Sequence, residues 1–81
     1  MGKLYLELYE IDPGEKLIES LEIPVNLFSF IENLINEKGE QFFYNPFLIS
    51  ESQFLRLQDK IGYLKDKKFR EYDYFLQYLE E

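Results

Sequence analysis

The chain has 81 residues, 46% of them hydrophobic and 19% aromatic, which suffices for one packed domain without staples and argues against disorder. Sixteen acids against nine bases give a formal charge of −7, a balance that repels nucleic acid and favours a basic partner. With neither cysteine nor histidine, the chain has no disulfides, no thiol chemistry, and none of the commonest general bases and transition-metal ligands.

The opening residues Met1 to Glu7 lack the apolar region of a secretory signal, and no run of about 18 apolar residues could form a membrane span. The expectation is a cytoplasmic protein with no membrane partner. Phe, Tyr, Ile, Lys, Asn and Glu are plentiful while Ala, Thr and Trp are absent, a bias typical of AT-rich genomes. Part of the aromatic content is therefore mutational background.

The first element is a hairpin from Lys3 to Ile23, folded about Asp12-Pro13-Gly14-Glu15. Lys3 to Ile11 alternates with a period of two, so Leu4, Leu6 and Leu8 share one side. Pairing Leu4 with Ile23, Leu6 with Leu21, Leu8 with Glu19 and Glu10 with Leu17 makes that side nearly continuous aliphatic surface. The other side then carries Tyr5, Glu7, Tyr9 and Ile11 against Glu22, Ser20, Ile18 and Lys16. Pro followed by Gly suits a type II turn, whereas tight hairpins favour primed turns, so a longer loop or a bulge is expected. A bulge would flip the faces of the second arm. The register is kept because it places Leu17, Leu21 and Ile23 with the three leucines. Pro24 ends the strand.

Asn26 suits the N-cap of a helix from Leu27 to Lys38, with Gly39 as its stop. Leu27, Phe28, Phe30, Ile31, Leu34 and Ile35 form its apolar stripe, to be laid on the leucine face. Glu40 to Ile49 reads as an extended crossover or a short edge strand, since Pro46 argues against a central one. Ser50 and Gln53 have capping-box spacing and open a second helix running to Lys60 or Ile61, with Phe54, Leu57, Gln58 and Ile61 on one side and Leu55 flanking. Gly62 to Lys68 is a loop, with one further turn through Leu64 possible. Residues 69–79 fit a helix through Phe69, Tyr72, Leu76 and Leu79, or a strand through Tyr72, Tyr74, Leu76 and Tyr78. Aromatic richness favours the strand, pairing beside the first arm. The expected fold class is α+β, a three-stranded antiparallel sheet (N-terminal hairpin plus C-terminal strand) packed against two helices in a single domain.

What remains for chemistry is carboxylates. Glu7 with Glu22, or Glu10 with Glu19, could approach on adjacent strands as an acid and base pair or a calcium site, but the spacing has no EF-hand loop and solvated surface acids are by far the simpler account. No catalytic residue, metal site or cofactor is assigned, and enzyme activity is not expected. Arg56, Lys60, Lys65, Lys67, Lys68 and Arg70 cluster around Tyr63 and Phe69, as in single-stranded nucleic-acid binders. Asp59 and Asp66 interleave and the whole chain is acidic, so a mixed-charge surface loop is the simpler account and no direct nucleic-acid partner is expected. The more informative constellation is Tyr5, Glu7, Tyr9 and Glu22, joined by Tyr72, Asp73 and Tyr74 if the last segment pairs alongside. Tyrosines anchor interfaces, and surrounding acids steer a basic partner. Alternatively the helices or a homodimer mate cover that face.

The hairpin with its acidic-Gly turn, the Ile23-Pro24 pair, the Leu-rich helix, the Gln53-bearing helix and the closing Tyr72-Asp73-Tyr74-Phe75-Leu76 resemble a family of small uncharacterised bacterial proteins of about 80 residues. The crossover Tyr44-Asn45-Pro46-Phe47 is more aromatic than in that family. The resemblance implies a closing strand and transfers no active site. In size and acidity the chain is also similar to immunity proteins that neutralise secreted bacterial toxins. The expected function is a non-catalytic binding or inhibitor protein for a basic partner such as a toxic nuclease. The alternatives are a DNA mimic of phage or mobile-element origin, or a homodimeric structural or regulatory protein.

Overall fold

The structure is a computed structural model, and it describes residues 2–11, 15–35 and 46–80. Four strands form one antiparallel sheet: β1 (Gly2–Glu10), β2 (Leu17–Glu22), β3 (Phe47–Leu48) and β4 (Tyr72–Glu80), in the order β2-β1-β4-β3. Two helices, α1 (Phe28–Ile35) and α2 (Glu51–Gln58), complete an α+β domain. The sheet thus gains a fourth strand over the three expected. Two residues at Phe47–Leu48 pair with Leu76 and Phe75. Pro46 lies just before the strand, where its missing N–H costs no ladder bond.

β1 is central because its inner even positions, Leu4, Leu6 and Leu8, are all leucine. Leu4, Leu6 and Leu8 are fully buried, with Leu6 between Leu21 on one neighbour and Leu76 on the other. The expected pairing holds at Leu6 with Leu21 and Leu8 with Glu19, and the Ile23 N–H donates to the Leu4 carbonyl at 2.8 Å. It then breaks: Tyr9 pairs with Leu17 in place of Ile18, leaving Ile18 as the extra residue of a β-bulge. Leu17 therefore leaves the leucine face and is 45% exposed. The cause lies in the connection. Glu15 adopts a left-handed φ of 48°, and a left-handed residue at the end of a longer hairpin loop commonly comes with a bulge that restores the strand twist.

The core gathers the β1 leucines, Ile23, Tyr74 and Leu76 from the sheet, Ile31, Leu34 and Ile35 from α1, Phe54 and Leu57 from α2, and Ile49 and Leu64. Both helices thus cover the leucine face. Asn26 does not cap α1: it lies inside a 3-10 turn, Val25–Leu27, which continues directly into the helix. Pro24 precedes that turn with a preset φ of −60°. The expected end of this helix, including Gly39, lies outside the described residues. Ser50 caps α2 as expected, its side chain accepting from the Gln53 N–H while the Gln53 Oε1 accepts from the Ser50 N–H at 2.8 Å. Gln53 also donates to the Leu34 carbonyl at 3.4 Å, tying the start of α2 to α1. After α2, Gln58 donates to the carbonyls of Leu64 and Lys67, both at 2.9 Å, and folds the 3-10 turn Gly62–Asp66 back onto the core. A second 3-10 turn, Phe69–Glu71, leads into β4.

Candidate functional site

The helices cover one side of the sheet, and the seven residues expected at a binding face divide between its two sides. β4 runs antiparallel to β1, with Leu8 opposite Tyr74 and Glu10 opposite Tyr72, so both tyrosines project with the leucines. Tyr74 is fully buried and Tyr72 packs half-buried against the core. Consecutive strand residues alternate between faces, so Tyr72, Asp73 and Tyr74 cannot all share one. Only Asp73 of the three joins Tyr5, Glu7, Tyr9 and Glu22.

Those five separate again along the strands. Glu22 lies opposite Tyr5 at one end, where Lys3 Nζ approaches its Oε1 to 3.8 Å. Both side chains of that pair are about half exposed, so it contributes little to stability. The register opposes neither of the acidic pairs considered from the sequence, since Glu22 lies opposite Tyr5 and Glu19 opposite Leu8. Lys3 accompanies Glu22, and the bulge puts Glu10 beside Lys16, whose carbonyl accepts the Glu10 N–H at 2.8 Å.

At the other end the register builds a compact square. Glu7 faces Phe75 and Tyr9 faces Asp73, so acids occupy one diagonal and rings the other. The Tyr9 and Phe75 rings meet with centroids 5.5 Å apart at 85°. The Tyr9 hydroxyl donates to Glu7 Oε1 at 3.2 Å. Burial, the Glu7 charge and this hydrogen bond together hold the Tyr9 phenol above its usual range, so it stays protonated at neutral pH. Glu15, from the end of the hairpin loop, and Pro46, from just before β3, complete a cleft of about 240 Å³ whose described walls are Glu7, Tyr9, Glu15, Pro46, Asp73 and Phe75. Phe75 was legible in principle, because the alternation that puts Asp73 outward puts Phe75 there too. Glu15 and Pro46 carried no sequence signal, since they reach the cleft through the hairpin loop and the crossover.

Three residues of the basic stretch are engaged with rings of the same chain. Arg56 and Lys60 sit 5.7 and 5.5 Å from the centre of the Phe30 ring, and Lys67 sits 4.8 Å from that of Tyr63. These contacts join α2 to α1 and brace the turn that follows. Among the described residues no three acidic side chains converge to hold a metal ion, and no helix is long and apolar enough to cross a membrane. Set against protein-family models, curated proteins and solved structures, the chain matches none of them.

Proposed function

We propose that this domain is a non-catalytic binding protein whose sheet face opposite the two helices takes a basic protein partner, in the manner of an immunity or inhibitor protein that neutralises a toxin such as a nuclease. The observation that carries the reading is the square of Glu7, Tyr9, Asp73 and Phe75, where acids and rings alternate on a rigid two-strand platform. Rings supply area at little entropic cost, and carboxylates steer and select a cationic partner. The charge of −7 extends the same preference to long range.

A tagged sample in source-cell lysate, at low and high salt and with nuclease treatment in parallel, is the direct test. A basic protein retained at low salt, partly released by high salt and indifferent to nuclease is the expected result. Reversing Asp73 and Glu22 to lysine slows association with the captured protein by about 10- to 100-fold and leaves the circular dichroism unchanged. An unchanged on-rate removes this face from the interface. Displacement of the partner by duplex DNA favours the DNA-mimic reading instead, and a bait that elutes as a dimer with nothing captured favours self-association.

A further inference from the structure

We infer that the cleft between β1 and β4 is a receptor for a single arginine side chain of the basic partner, its guanidinium stacked on the Tyr9–Phe75 ring pair and forked between the Glu7 and Asp73 carboxylates. The inference rests on the reading that the partner is a basic protein, and it adds where and by which side chain that partner is held.

Size comes first. At about 240 Å³ the cleft falls below the range of about 300 to 1,000 Å³ typical of small-molecule sites, but it accommodates one long side chain. Charge comes next. Three of the six described wall residues are acids, and none is basic. Glu7 is 9% exposed, its recorded hydrogen bond comes from the neutral Tyr9 hydroxyl, and among the described residues no ammonium or guanidinium lies within ion-pair distance of it. A carboxylate so withdrawn from water without a cation gains most from one brought by a partner.

Shape then selects among cations. Because the acids do not converge on a point, a small metal ion is poorly served. They flank the rings on the opposite diagonal of the square, which suits a planar, delocalised cation. Arginine presents a flat face to an aromatic ring and donor pairs at its edges, whereas lysine offers a compact point charge. The perpendicular ring pair gives the cleft two aromatic walls meeting at a corner.

The experiment is a titration of the isotope-labelled protein with N-acetyl-argininamide, followed by amide and side-chain chemical shifts. N-acetyl-lysinamide and N-acetyl-citrullinamide, the uncharged isostere of the arginine probe, serve as controls. Saturable shifts confined to Glu7, Tyr9, Asp73 and Phe75 are expected, with citrulline inert and lysine at least about threefold weaker. Asp73→Asn and Glu7→Gln, which keep volume and hydrogen-bonding capacity, each weaken the arginine affinity by about tenfold. Arginine shifts spread evenly over Glu19, Glu22 and Glu51, or equal shifts from citrulline, overturn the inference. The two readings fail separately. If the basic protein is captured with undiminished affinity by Asp73→Asn and Glu7→Gln, the cleft is not its arginine receptor although the partner class stands. Arginine bound in the cleft without any basic protein captured has the reverse meaning.

Discussion

Tyr74 lies fully buried among rings, 4.6 Å from Phe54 and 6.0 Å from Tyr72 between centroids, and its hydroxyl donates to the Lys68 carbonyl at 3.0 Å. Burial first, then the neighbouring Tyr72 and Glu71, push its pKa up to about 12 from the ordinary 10. The folded pKa is raised, so the contribution of this phenol to stability is fully present below pH 10. Above that, the unfolded chain releases the proton while the folded one retains it, and stability falls until pH 12 is reached. Tyr74→Phe removes both the hydrogen bond and the titration. At pH 7 the variant is less stable by about 1 kcal/mol, the value of a typical buried hydrogen bond. Between pH 10 and 12 the gap narrows, because the wild type alone pays for ionising this group. Urea midpoints measured at unit intervals from pH 7 to 12 show the convergence, and parallel profiles would reject it.

At the scale of elements, α2 is the piece most nearly written in its own local sequence. Ser50 and Gln53 satisfy each other's backbone N–H groups, and both partners lie within one turn, so no tertiary knowledge is needed to see them. Ser50→Ala should destabilise the domain by about 1 kcal/mol, whereas Ser50→Asp should restore most of the loss. Urea denaturation with an unchanged slope is the appropriate measurement, and an Ala variant as stable as wild type would show that the tie from Gln53 to Leu34 alone fixes the start of the helix. The β1 leucines were equally legible, since a period of two identifies a strand without naming its neighbours, whereas residues 69–79 fit a helix as well as a strand and only their aromatic richness favoured β4. The bulge at Ile18 was not legible, because it follows from how the loop delivers Glu15 in a left-handed conformation. Nor was β3, whose two residues are too few to show a period. The mistaken grouping of Tyr72 with Tyr74 on the open face came from counting residue types and neglecting alternation. That same alternation supplies Phe75, the ring that makes the cleft.

For the whole molecule, net charge and edge exposure act against each other. β2 stands at the end of the strand order, so among the described residues no strand pairs with its outer edge, and Leu17 and Ile18 at the bulge are 45% and 47% exposed. An edge of this kind invites pairing with a second copy. Glu15, Glu19 and Glu22 on or next to the same strand, within a total charge of −7, oppose that pairing at neutral pH by repulsion between molecules. The balance should therefore tip as the carboxylates are protonated. A dilution series in light scattering should find monomers at pH 7 and concentration-dependent association near the isoelectric point of about 4.5. Ile18→Lys places a charge in the bulge and should suppress that association even when the variant is measured at its own isoelectric pH. If it associates as readily as the wild type there, the contact lies on another surface. A stable dimer at pH 7 would instead mean that charge does not guard this edge, and the open acidic face would then have to be shared between a partner and a second copy.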